Sequence, residues 1–175
     1  VDCYPTLVSI EDLSRKIYTR GVRLLSGREH SELELRKKLL RGGWFRSRFD
    51  CNKNRSSSTT RCVNNTLEIT SLINEIVNQL KTDGVLSDTR YSESYIRMRI
   101  NRGYGPIYIT RSLREHGISD ELIELGLNLD IESWINIAKE TVRKQYRSNH
   151  ARVISWEQKA RFLTSRGFPT TVILR

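Results

Sequence analysis

The chain repeats one short pattern three times: a leucine, a glycine four residues later, and an apolar residue directly after the glycine. The copies begin at Leu39, Leu113 and Leu163, and their glycines are Gly43, Gly117 and Gly167. In a helix this spacing puts the leucine on the last turn and the glycine in the left-handed position past its end, with the apolar side chain folded back over the stop. The repetition predicts an array of three helical units.

We therefore predict an all-α fold, built as an elongated tandem array of three three-helix repeats of helix-turn-helix type. The repeats would span residues 1–86 (with an N-terminal extension), 87–129 and 130–175 (with a short last helix). Apolar content of 37% against 29% charged residues suits small stacked modules, because these expose more surface per residue than one globule. The sequence has no alternating strand pattern of useful length.

Capping residues predict where several helices begin and end. Ser31 with Glu34, and Ser155 with Gln158, have the spacing of a capping box. Pro106 suits the first position of a helix, where its missing N–H is not needed. The predicted helices span residues 12–26, 31–43, 69–82, 88–102, 107–116, 119–129, 130–146, 155–166 and 170–175.

Residues 46–65 are rich in Ser, Asn, Arg and Thr and cannot bury an apolar face, so we expect a mobile insertion in the first repeat. Cys51 and Cys62 lie in this insertion, and with Cys3 they make an odd count in no recognised metal spacing. We expect free thiols. A disulfide or a zinc site across Cys51 and Cys62 remains the alternative.

The net charge of +10 and the pI near 9.9 point to a polyanionic partner such as nucleic acid or an anionic membrane. The sequence has no stretch of roughly 18 uninterrupted apolar residues, the length that a membrane span needs. Residues 1–10 lack the charged lead and apolar block of a signal peptide. We expect a cytoplasmic protein.

Catalytic sets are not recognisable in the sequence. His30, His116 and His150 are isolated from one another, the acidic residues do not pair into a plausible metal cluster, and neither a phosphate-binding glycine loop nor a nucleophile elbow is present. We therefore expect no enzyme activity, no metal and no cofactor. A nuclease is the remote alternative.

Basic residues fall on the first and second helices of successive predicted repeats. If the repeats stack with a constant rotation, these residues would line up as one basic stripe. A helix-turn-helix reader would instead put the third helix of a repeat into the major groove. That helix in the second repeat carries Asp120, Glu121 and Glu124, which would face phosphates, so sequence-specific DNA reading is a minority interpretation.

Several stretches together resemble the RecX regulators of the RecA recombinase, from about Ile17 onward. They are residues 28–35 (REHSELEL), 83–91 (DGVLSDTRY), 95–97 (YIR), 102–106 (RGYGP), 162–163 (FL) and 166–168 (RGF). Single pieces are unspecific, whereas their order and spacing together are specific. The insertion at residues 46–65 departs from the family pattern, and the last helix is shorter.

The resemblance implies a non-enzymatic regulator in DNA repair, homologous recombination and the SOS response. Such a protein, as a monomer, would bind along the groove of the RecA filament on single-stranded DNA, with weaker binding to duplex DNA. It would inhibit strand exchange, ATP hydrolysis and co-protease action. The alternative is a stand-alone DNA-binding protein of helix-turn-helix type that acts without RecA.

Under the resemblance, one set of residues would face DNA or the filament groove, and a second set would form the motif turn. Tyr104 would serve as an exposed anchor, although packing between two helices explains it equally well. The direction of regulation, and which cations touch DNA rather than protein, stay open. The binding set is Lys37, Lys38, Arg41, Arg97, Arg99, Arg102, Tyr104, Arg111, Arg114, Arg161 and Arg166; the turn set is Gly103, Gly105 and Pro106.

Overall fold

The computed structural model describes residues 10–42, 59–147 and 154–175, with the side chains of residues 59–66 excepted. All regular structure in these ranges is helical, which confirms the predicted all-α class. None of the described helices is long and apolar enough to cross a membrane. In order, the described helices are α1 Ile10–Gly27, α2 Glu32–Leu40, α3 Thr59–Thr82, α4 Asp88–Asn101, α5 Pro106–Glu115, α6 Asp120–Gly126, α7 Ile131–Tyr146, α8 Trp156–Ser165 and α9 Thr170–Ile173.

The chain divides into two compact units, and the first, Val1–Ser87, contains α1, α2 and α3. Each of these helices packs against the other two. Ile17, Leu35 and Val77, one from each helix, are fully buried at the centre of the shared core. A Cβ on Gly21 would lie 2.8 Å from the Leu80 side chain, so α1 and α3 approach closely at this point.

The second unit, Asp88–Arg175, holds two groups of three helices around one continuous core. In one group α4, α5 and α6 contact each other, and in the other α7, α8 and α9 do. Leu113 from the first group and Trp134, Leu163 and Phe168 from the second belong to the same buried cluster. The three-helix grouping follows the predicted repeats, whose exact boundaries stay a prediction.

The glycine stops explain how these helices end. Gly117 and Gly167 have φ angles of +78° and +81°, as the leucine–glycine pattern predicts. Ile118 and Phe168 fold back and are buried, and each donates its amide to the carbonyl of the leucine five residues earlier at 3.1 Å. The first copy of the pattern, at Gly43, lies outside the described residues.

Several predicted limits are wrong. The predicted insertion ends too late, because α3 already begins at Thr59. Once the strongly periodic part of α3 forms, each added residue contributes a hydrogen bond without a new nucleation step, so the helix extends backwards into polar sequence. The rest of the insertion, with Cys51, lies outside the described residues, as do Cys3 and the side chain of Cys62. Helices α6 and α9 stop at Gly126 and Ile173, short of the predicted ends.

One capping box is confirmed and the other is half formed. Ser155 and Gln158 exchange both bonds, at 3.4 and 3.2 Å. At α2 the Ser31 hydroxyl accepts the Glu34 amide at 3.1 Å, but the Glu34 carboxylate turns towards His30 instead of back to the cap. Glu34 therefore serves a side-chain cluster described below.

Candidate functional site

The motif turn between α4 and α5 docks against the turn that follows α8. The Gly105 amide donates to the Arg166 carbonyl at 2.8 Å, and the Ile107 amide donates to the Gly167 carbonyl at 3.0 Å. A Cβ on Gly105 would lie 2.4 Å from the Gly167 carbonyl oxygen. The glycines thus allow two backbones to touch, and the turn joins the two helix groups of the second unit.

Aromatic rings and two arginines surround this joint. The Tyr104 and Tyr108 rings stack with centroids 4.3 Å apart. The Arg99 guanidinium lies 5.4 and 5.6 Å from these two rings. The Arg166 guanidinium lies 4.8 Å from the Tyr104 ring and 5.2 Å from the Phe162 ring. Arg166 also donates to the carbonyl of residue 102 at 3.3 Å. Both arginines thus pack against the aromatic rings of the joint.

Three predicted binding residues therefore pack at this joint. Tyr104, Arg99 and Arg166 are each half-buried. The Arg99 Nε is buried without a hydrogen-bond partner among the described residues, which is tolerable because its guanidinium is stacked on aromatic faces. For Tyr104 the contacts support the packing alternative that the sequence left open.

Lys38 belongs to a cluster on α2 that also holds a buried histidine. Its ammonium lies 3.3 Å from the Glu34 carboxylate and 3.4 Å from Nε2 of His30, and Nδ1 of His30 lies 3.0 Å from the same carboxylate. A neutral ring satisfies both contacts, since Nδ1–H donates to Glu34 and Nε2 accepts from Lys38. Burial lowers the pKa of His30, outweighing the opposite effect of Glu34.

The pKa of Glu34 is also lowered. Burial alone would raise it, but the His30 hydrogen bond and the charges of Arg28 and Lys38 together outweigh burial. Glu34 therefore stays ionised and holds the Lys38 ammonium. Lys38 is half-buried in this network and is less available to a partner than the exposed Lys37 and Arg41.

The other predicted cations are exposed. Lys37 and Arg41 lie four residues apart on one face at the end of α2. Arg97, Arg102 and Arg161 are exposed in the second unit. Within the described parts of the chain, Lys37, Arg41, Arg97 and Arg102 make no ion pair, and the Arg161 guanidinium contacts only a backbone carbonyl. An anion can therefore bind these side chains without displacing an ion-pair partner.

Two further arginines form exposed ion pairs on α5. Arg111 pairs with Glu115 at 3.1 Å, and Arg114 pairs with Asp120 at 2.7 Å. Water screens such exposed ion pairs and leaves them weak, so a phosphate could displace either carboxylate. Arg111 and Arg114 share one shallow depression with Ile107, an apolar side chain that is 58% exposed. This surface combines charge with an apolar contact.

The third helix of the first group in this unit is acidic, as expected. Asp120, Glu121 and Glu124 are exposed on α6. Hydrogen bonds from its own amide and from the Ser119 hydroxyl lower the pKa of Glu121, so that its charge persists near neutrality. The α6 surface would repel a phosphate backbone. No three His, Cys, Asp or Glu side chains in the described residues are close enough to hold a metal.

Comparison with known proteins identifies the family. A family model described as "RecX, second three-helix domain" matches residues 87–127, the part that contains α4 to α6 and the motif turn. The "Regulatory protein RecX" of Legionella pneumophila (strain Corby) is 33% identical over 159 residues, which cover 90% of each chain. The chain belongs to the RecX family. The RecX protein of Yersinia enterocolitica is 30% identical over 87% of this chain and 90% of its own.

Solved RecX structures share the fold. The crystal structure of RecX from Lactobacillus salivarius superposes with a TM-score of 0.66 and 23% identity, covering 94% of each chain. At this identity the likeness concerns the fold alone. Together with the sequence relatives, it agrees with three-helix repeats in this RecX-family chain.

Sequence reasoning missed part of the neighbourhood of the motif turn. Tyr108 follows Tyr104 by four residues and lies in the first turn of α5, so its closeness to the motif turn could have been inferred from the sequence. Thr141 is different: a Cβ on Gly103 would lie 2.6 Å from its methyl group, although 38 positions separate the two residues in sequence. Only the tertiary structure brings that pair together.

Proposed function

We propose that this RecX-family protein regulates the RecA recombinase, and that it inhibits strand exchange, ATP hydrolysis and co-protease action. It would do so by binding along the groove of the RecA filament on single-stranded DNA. The observation that carries the proposal is the 33% identity to a protein named "Regulatory protein RecX" over 90% of both chains. The match of residues 87–127 to a RecX family model supports the proposal as well.

The charge of the chain supports a partner that contains nucleic acid. The net charge is +10, and exposed cations occur on α2, α4, α5 and α8. Each phosphate that is neutralised releases counterions, so several weak contacts at separate places can add to useful affinity. A filament that presents regularly spaced phosphates and protein surfaces is well suited to such dispersed contacts.

Within this proposal, the exposed cations make the binding contacts, and the half-buried residues of the predicted set stabilise the fold. We assign the contacts to DNA or to the filament groove without dividing them between the two. The exposed set is Lys37, Arg41, Arg97, Arg102, Arg111, Arg114 and Arg161. Lys38, Arg99, Tyr104 and Arg166 would act indirectly, by holding α2 and the motif turn.

A stand-alone DNA-binding protein of helix-turn-helix type is the rival explanation. The exposed carboxylates of Asp120, Glu121 and Glu124 on α6 argue against it, because the helix that would enter the major groove is acidic. The rival also predicts that the protein acts only as far as it covers DNA.

RecA-catalysed, single-stranded-DNA-dependent ATP hydrolysis separates the two explanations. The protein is titrated in at ratios too low to coat the DNA, and its binding to the same DNA without RecA is measured in parallel. We expect hydrolysis to fall at these low ratios. If it falls only when the DNA itself is saturated, the protein competes for DNA and the proposed action on the filament is wrong.

A further inference from the structure

A cleft of about 430 Å³ opens in the second unit, beside the motif turn. Its volume lies in the range of about 300–1,000 Å³ that is usual for small-molecule sites. Ile100, Ile137 and Phe162 give it an apolar part. The polar part of the lining includes three carboxamides and three cations: Asn101, Asn136, Gln145, Arg102, Lys144 and Arg166.

The ends of three helices contribute to the charge of this cleft. Helices α4, α7 and α8 all end at or next to its lining residues. Each C-terminus carries roughly half a negative charge, and this offsets part of the positive charge of the three lining cations.

The one acidic residue of the lining, Glu140, does not make the cleft negative. It forms ion pairs with Arg143 and, at 3.6 Å, with Lys144. Because Arg143 adds a fourth cation next to the cleft, the positive charges exceed the carboxylate and the helix ends combined. An anionic group at the mouth is therefore favoured.

We propose that the cleft accepts one unpaired base of single-stranded DNA, with the adjoining phosphates against Arg102 and Lys144. This inference rests on the proposed binding to single-stranded DNA. A carboxamide both donates and accepts hydrogen bonds, as the edge of a base requires, and the apolar part takes the face of the ring. Paired bases of a duplex cannot enter, so the cleft gives a preference for single strands.

The cleft differs from the exposed cations in what it recognises. The exposed cations contact only phosphates, so they bind a strand whether or not it carries bases. A base in the cleft makes affinity depend on the base itself. Removing bases while keeping the sugar-phosphate backbone therefore separates the cleft from the rest of the surface.

The test is fluorescence anisotropy of a labelled oligothymidylate and of the same strand with abasic sites, at low salt and without RecA. Asn136 and Asn101 are exposed at the cleft, so Asn136→Trp or Asn101→Trp fills it without entering the core. Asn128→Trp makes the same change at an exposed position outside the lining and serves as the control. Circular dichroism checks that all three variants keep their helices.

We expect the unchanged protein to bind the abasic strand roughly tenfold more weakly than the intact strand, in line with the loss of one base contact. Asn136→Trp and Asn101→Trp should bind the intact strand as weakly as the abasic one, whereas Asn128→Trp should keep the difference. Equal binding of both strands by the unchanged protein would overturn the inference. So would a folded Asn136→Trp variant that keeps the full difference.

These results separate the cleft from the proposed function. If the protein inhibits RecA at low ratios but does not distinguish intact from abasic DNA, the proposed function is supported and the inference about the cleft is wrong. If the protein distinguishes the two strands but leaves ATP hydrolysis by RecA unchanged, the inference about the cleft is supported and the proposed function is wrong.

Discussion

The contact between the motif turn and the turn after α8 can be tested by adding one methyl group. Gly105→Ala would place its Cβ 2.4 Å from the Gly167 carbonyl oxygen and 2.6 Å from the Phe168 amide nitrogen. Both neighbours are backbone atoms, which cannot rotate away as a side chain can. At Gly105 φ is −87°, so alanine brings no conformational strain of its own. The clash alone is tested.

The expected loss of stability follows from the contacts at the joint that the clash would break. Two backbone hydrogen bonds cross the joint, at 2.8 and 3.0 Å, and each contributes about 0.5–1.5 kcal/mol to stability. The half-exposed stacking of Arg166 on Tyr104 adds about 0.5–1 kcal/mol. The lower entropy of an unfolded chain with alanine returns about 0.4–1 kcal/mol. We expect a net loss of about 2 kcal/mol in the free energy of unfolding.

The assay is thermal and urea unfolding followed by circular dichroism. For a unit of this size a loss of that order lowers Tm by roughly 8–16 °C. Gly27→Ala is the matched control, because nothing lies within 4 Å of the Cβ it would add at the end of α1. The control should leave stability unchanged or raise it by up to about 1 kcal/mol. A Gly105→Ala variant within about 0.5 kcal/mol of the unchanged protein would refute the reasoning.

Three further predictions follow from buried or stacked groups. The folded-state pKa of His30 lies below its ordinary value of 6.5, so the unfolded chain binds the proton more readily. Stability should therefore fall as pH drops from about 7.5 to about 5.5, and the urea midpoint of His30→Gln should change less across this range. Tyr95→Phe removes the partner of the buried Ser112 hydroxyl, which lies 2.5 Å from the tyrosine oxygen, and should cost about 1–2 kcal/mol of stability. In a double-mutant cycle of urea unfolding, the same change should cost much less when Ser112→Ala is already present. Arg166→Ala should lose about 1–2 kcal/mol of stability in urea unfolding, whereas Arg161→Ala on the exposed side of α8 should stay within about 0.5 kcal/mol; equal losses would contradict the stacking role.

Local signals in the sequence predict much of the fold. Gly117 and Gly167 end helices where the leucine–glycine spacing places them, and Ser155 caps α8 with the partner that its spacing requires. These features depend on residues within one helical turn of each other. The sequence does not predict where the Glu34 carboxylate turns, because His30 and Arg28, both close in sequence, compete for it with the capping position.

The candidate site is less predictable than the fold. Charge singles out Arg99 and Arg166 as readily as Arg97, although the first two are stacked on aromatic rings and the third is exposed. What separates them is the environment that distant segments supply, such as the turn around Gly167. Composition therefore predicts a basic surface but not which cations occupy it.

The central claim is that exposed cations hold this RecX-family protein on the RecA filament. Its most direct test is inhibition of RecA-catalysed ATP hydrolysis by the triple variant Arg97→Ala, Arg102→Ala and Arg111→Ala. The control replaces the same three residues with lysine, because exposed phosphate contacts need the charge more than the shape of the guanidinium. We predict that the alanine variant keeps its helices by circular dichroism but needs a much higher concentration to inhibit, while the lysine variant inhibits nearly as well as the unchanged protein. Equal inhibition by all three proteins would contradict the claim.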